Sequence, residues 1–200
     1  MNPLDSIKGT LIAGLVIAIA LTAVLTQQTG VNAMSIIRFL HVVAGIAWIG
    51  LLYYFNFVQV PALAAAAADK GGPGGAGISK YVAPRALLWF RWAAVVTWVS
   101  GAAYLAHAGW LLGAFSFGLA GTPGPYGNAI GVGAWLGTIM IFNVWVLIWP
   151  NQKKVLGLVA ATDEQKAKAR RIAFLASRTN TMLSIPMALF MVASAHGLPF

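Results

Sequence analysis

Residues 33–61 read AMSIIRFLHVVAGIAWIGLLYYFNFVQVP. From Ala33 to Val60 this stretch carries a single charge, Arg38, and it is stopped by Pro61. In a helix, about 20 apolar residues at 1.5 Å each cross the hydrocarbon layer of a bilayer. The stretch is therefore expected to span a membrane. Four more segments share its character: Thr10 to about Thr26 before it, then Arg85 to Gly113, Asn128 to Trp149 and Ile172 to His196. The first could be read as a signal peptide, but it has no clear A-x-A cleavage site, so a retained helix is expected. The expected fold is an all-α integral membrane protein, one transmembrane domain over residues 1–200. Its bundle of five transmembrane helices would span about 10–26, 33–60, 85–113, 128–149 and 172–196.

Composition agrees. The chain is 60% hydrophobic and 8% charged, against about 25% charged residues in soluble domains. Its net charge of +9 does not point to nucleic acid, because the cations cluster at the ends of apolar segments, as topology determinants do. Cysteine is absent, which excludes Cys-ligated zinc, iron–sulfur clusters and covalent c-type haem. Asp5, Asp69, Asp163 and Glu164 all lie outside the apolar runs. That argues against a carboxylate proton pump or a di-iron carboxylate bundle.

The connections set the expected orientation. Residues 62–80 pass from an alanine run into GGPGGAG, expected to be a flexible loop. Gly121–Gly127 (GTPGPYG) is a tight, breaker-rich loop on the other side, and residues 151–171 form a basic linker with helical character. No repeat of 20–50 residues is evident. If the spans alternate, twelve of the 13 Lys and Arg residues fall on one side and only Arg38 on the other. By the positive-inside rule the N-terminus is cytoplasmic and the C-terminus periplasmic, in a bacterial inner membrane.

In this topology His41, His107 and His196 converge in depth near the outer face. A neutral imidazole avoids the charge penalty of the membrane, and haem b is held non-covalently by such groups. His41 and His196 are the expected haem iron ligands, with His107 as a further candidate. Arg38, three residues before His41 on the same helix face, is placed to pair with a propionate. Gly45, one turn beyond His41, would leave room for a flat macrocycle. The competing readings are a hydrogen-bonded packing histidine at His107, a solvated one at His196, and close helix packing at Gly45.

A second polar cluster gathers toward the cation-rich side: Asn56 and Gln59, Arg85 and Arg91, Asn143, then Arg178 and Asn180. It reads either as a pocket for an anionic or hydrogen-bonding ligand, or as snorkelling cations with interhelical hydrogen bonds.

Several motifs in order carry a family resemblance. They are Arg38-Phe-Leu-His41-Val-Val-Ala-Gly-Ile-Ala-Trp48-Ile-Gly50 with Tyr53 and Tyr54, and Pro84-Arg-Ala-Leu-Leu-Trp-Phe-Arg91-Trp92. Asn143-Val-Trp145, Ile148-Trp-Pro-Asn-Gln-Lys153 and Asn180-Thr-Met-Leu-Ser-Ile-Pro186 through His196 follow. Over residues 34–199 the chain resembles the membrane domain of the PuuD-type urate oxidases. The resemblance implies an oxidoreductase context, His41 and His196 as ligand positions, and Arg85, Arg91, Asn143, Arg178 and Asn180 as a substrate or polar pocket. It also implies electron transfer to cytochrome c. The chain has no Cys-x-x-Cys-His, so the expected acceptor is a separate cytochrome c or respiratory partner. Thr179 stands where the family tends to carry histidine. The leading expectation is a haem b-binding membrane electron-transfer protein. The alternatives are a non-catalytic accessory subunit of a larger membrane complex, and a urate oxidase.

Overall fold

The computed structural model describes residues 2–26, 30–121 and 127–199. It divides into two compact units, residues 1–33 and 34–200. Most of the GTPGPYG loop lies outside the described residues. All regular structure among the described residues is helical.

The first unit holds α1 (Ile7–Leu25). Ser6 caps it by accepting from the Gly9 amide, and none of its residues is buried within the unit. Such a helix is stable only where lipid or a partner covers it.

The second unit holds α2 (Ala33–Tyr53), α3 (Val60–Ala68), α4 (Ala83–His107), α5 (Leu111–Phe115), α6 (Gly127–Phe142), α7 (Trp149–Val155) and α8 (Asp163–His196). π-Helical turns at Tyr54–Gln59, Ile78–Val82 and Asn143–Ile148 join α2 to α3, lead into α4, and join α6 to α7. Each is followed within two residues by proline: Pro61, Pro84 and Pro150. Proline lacks an N–H and its ring clashes with the carbonyl four residues back. The wider turn, closed by bonds such as Val60 N–H to Phe55 O and Trp149 N–H to Val144 O, accommodates the ring without ending the helix. Pro61 and Pro150, expected to stop their spans, therefore only interrupt them. The helices run on to Ala68 and Val155, and the expected 62–80 loop is helical at both ends, leaving a non-helical connection over residues 69–75.

Among the described residues four helical stretches are long and apolar enough to cross a membrane: Ile7–Leu25, Ala33–Ala68, Ile78–His107 and Gly127–Val155. The protein is a multi-pass membrane protein. The fifth expected span lies within α8, a 34-residue helix. Its polar interruption at Arg178–Asn180 lowers its hydropathy below that of the others. The expected linker helix is the start of α8 itself, opened by a capping box in which Thr162 and Gln165 exchange bonds.

Between helices in lipid the hydrophobic effect gives little, so packing depends on close approach of small residues and on interhelical hydrogen bonds. The buried residues fit that rule. α6 buries Gly127, Ala129, Gly131, Gly133, Ala134 and Gly137, and α8 buries Ala169, Ala173, Ala176 and Ser184. Large side chains lock the centre: Trp48, Leu52, Phe90, Met140 and Val144 are almost wholly buried, with Phe55 edge-on to Phe90 at 5.4 Å.

The unit also contains a repeat with a period longer than 50 residues. Ala47-Trp48-Ile-Gly50-x4-Phe55-Asn56 returns as Ala134-Trp135-Leu-Gly137-x4-Phe142-Asn143, 87 positions later at each match (47 to 134, 56 to 143). The same interval links Arg91 to Arg178 and the buried hydroxyl residues Thr97 and Ser184. Each copy contains a π-interrupted helix followed by proline, then a basic connection and a second long helix.

Candidate functional site: a cavity around His41

A cavity of about 560 Å³ lies among α2, α4, α5, α6 and α8, within the size range of cofactor sites. Arg38, His41 and Trp48 line it from α2, Thr97, Gly101 and Tyr104 from α4, and Met187, Met191 and His196 from α8.

His41 is held by a 2.8 Å hydrogen bond between Nδ1 and the Thr97 carbonyl. A carbonyl only accepts, so in the neutral ring the proton is on Nδ1 and Nε2 keeps a lone pair. A metal-ligating histidine is set in this way: the second nitrogen donates to a backbone carbonyl and fixes the tautomer. The close approach depends on Gly101. A Cβ there would stand 2.9 Å from His41 Cε1 and 3.0 Å from Nδ1, too near for the ring to stay.

Gly45, the glycine expected to make room, plays a smaller part. A Cβ added to it would meet Thr97 Cγ2 at 3.8 Å, an ordinary contact, and it does not line the cavity. The glycine that matters belongs to the neighbouring helix.

Arg38 reaches across to α4. Its Nη2 donates to the Tyr104 hydroxyl at 2.8 Å, and the guanidinium carbon is 5.1 Å from the ring centroid. No carboxylate pairs with it: among the described residues the one ion pair is Lys166–Asp163. The cavity thus has a cation without an anion. Trp48 is 2% exposed and its Nε1, itself buried, has no partner among the described residues; Gln59 Oε1 and Trp145 Nε1 are unpaired in the same way. A buried N–H left unpaired costs about 1–3 kcal/mol.

The three histidines do not form one cluster. His41 and His196 line the cavity, whereas His107, at the exposed end of α4, does not. Among the described residues no group of three His, Cys, Asp or Glu side chains could hold a bare metal ion. A porphyrin brings four nitrogens of its own and needs only one or two ligands from protein. The free Nε2 of His41, the apolar walls and the unpaired cation fit such a group.

The second cluster separates into two parts. Asn143 donates to Asn180 Oδ1 at 2.8 Å, and Asn180 donates to the Met140 carbonyl at 3.0 Å. Asn56 donates to Ser177, and Tyr53 shares a hydrogen bond with Ser184. These amides join helices to each other. The arginines make other contacts: Arg91 lies 3.8 Å over Trp149 and Arg178 5.2 Å over Phe174, while Arg85 is exposed.

Thr97, Gly101, Tyr104 and the two methionines were not singled out from sequence, and Trp48 stood there only as part of a motif. Only Gly101 left a usable signal, as the one glycine of its helix, one turn past Thr97.

A family model described as urate oxidase N-terminal matches residues 31–117 and 109–200. No curated protein and no solved structure matches the chain.

Proposed function

Since the chain belongs to the urate oxidase N-terminal family, we propose that it is a haem b-binding electron-transfer protein of the bacterial inner membrane. The reading rests on one observation: a half-buried His41 whose Nδ1 is tied to the Thr97 carbonyl, leaving Nε2 free at a cavity. When bound, haem supplies a one-electron couple. The chain's own residues do the rest. His41 would offer Nε2 to the iron, the Thr97 carbonyl keeps that nitrogen unprotonated, and Arg38 would offer its guanidinium to a propionate. Trp48 would offer its indole N–H only if the ligand edge reaches it, and the apolar walls would exclude water.

With α8 as a fifth span and the cation-rich side inside, the cavity opens toward the periplasm. A separate cytochrome c or a respiratory partner is then the acceptor. Protein purified gently from haem-replete cells should show Soret and α bands that shift on dithionite reduction, and His41→Ala should abolish them. A colourless wild-type protein that takes up no added haem contradicts the proposal.

Family membership favours a second reading, oxidation of urate at the arginine-rich side. Purified protein should then consume urate when given an electron acceptor and lose that activity in Arg178→Ala. No turnover by a haem-replete preparation rules it out.

A further inference from the structure

The cavity lies on the seam between the two copies of the repeat. Tyr104 and Met191 are 87 positions apart, as are Leu105 and Val192, and all four line the cavity. α4 and α8 therefore present equivalent helical positions to it from opposite copies. His41 belongs to the first copy, and the groups able to coordinate a metal from the second are Met187, Met191 and His196.

These three differ in how they are held. His196 is the exposed last residue of α8, followed by Gly197 at φ +83°. Among the described residues no hydrogen bond holds its imidazole, whereas a ligating histidine has its second nitrogen fixed, as His41 does. Met187 is 8% exposed and part of the central apolar cluster. Met191 is half-buried and lies against Gly133 of α6, where a Cβ would stand 3.2 Å from each of its Cγ, Sδ and Cε atoms. His41 lies against Gly101 in the same manner. Each copy thus seats one coordinating side chain of one helix on a glycine of its other long helix.

Resting on the haem reading above, we infer that Met191 would supply the second iron ligand alongside His41. The bond would be a coordinate one, with the Sδ lone pair donated to the iron and no proton released, because a thioether has none. Methionine–histidine ligation raises the reduction potential relative to two histidines.

The test is a redox titration with near-infrared absorption of the purified holoprotein and of Met191→Leu, Met191→His, Met187→Leu and His196→Gln. Wild type should show a sulfur-to-iron charge-transfer band. Met191→Leu should keep haem through His41 but lose the band, and its midpoint potential should fall. Met191→His should restore a low-spin spectrum at a potential below wild type, while Met187→Leu and His196→Gln leave band and potential unchanged. Retention of the band and potential in Met191→Leu overturns the assignment, as does their loss in Met187→Leu or His196→Gln alone. These outcomes presuppose coloured protein. Absence of haem from wild type sinks the electron-transfer reading itself and takes this assignment with it.

Discussion

At the residue scale the account turns on how one imidazole is held. The Thr97 carbonyl bond cannot be removed by a side-chain substitution, but Gly101 can be changed. Gly101→Ala places a methyl 2.9 Å from His41 Cε1, and the ring must swing away. The expected outcome is a folded protein whose haem affinity falls about 10- to 100-fold, the usual cost of losing a second-shell constraint. Equilibrium haem titration with circular dichroism checks both halves of the statement. Trp48→Phe removes the unpaired N–H and leaves most of the packing. Its thermal stability in detergent should equal or exceed that of wild type, while haem binding weakens. Unchanged affinity in that variant would mean that the indole N–H faces no ligand. His41 and Arg38 were legible in sequence because they are a histidine and an isolated cation within an apolar run. Gly101, Trp48 and Met191 were not, because their roles depend on the register between separate helices. Hydropathy carries no information about that register.

At the element scale the informative features are the π turns and the buried amides beside them. The spans themselves were legible, since length and apolarity are what a bilayer demands. Their ends were not: Pro61 and Pro150 are tolerated where the preceding turn widens, so the helices continue to Ala68 and Val155. α6 and α8 meet through small residues, with the Asn143–Asn180 hydrogen bond joining them. Asn143→Ala leaves Asn180 Oδ1 without its donor and should destabilise the pair by roughly 1–3 kcal/mol. The direct coupling read from a double-mutant cycle with Asn180→Ala should be smaller, about 0.6 kcal/mol and at most ~1.7 kcal/mol. Unfolding in mixed micelles measures both. A coupling near zero would move these asparagines from helix joining to ligand recognition, the reading first given to their cluster.

At the scale of the whole molecule, the duplicated hairpin explains why the cavity draws on both copies. A site on the seam of an internal repeat is a recurrent arrangement in membrane proteins. The repeat is hard to see in the sequence because its 87-residue interval exceeds the period of solenoid repeats. Its motif is also made of residues common in any membrane helix. Orientation is open to direct test, since the chain has no native cysteine. In whole cells Leu119→Cys should react with a membrane-impermeant maleimide and Gly74→Cys should not, with the pattern reversed in inside-out vesicles. Labelling of Gly74→Cys from outside would invert the topology and send electrons to the opposite side.

The most direct measurement is a Soret-monitored titration of haem into the apoprotein in detergent, with wild type and His41→Ala side by side. Wild type is predicted to saturate at one haem per chain, with His41→Ala binding at least about 100-fold more weakly. Equal binding by the two proteins, or no saturable binding by wild type, would contradict the account.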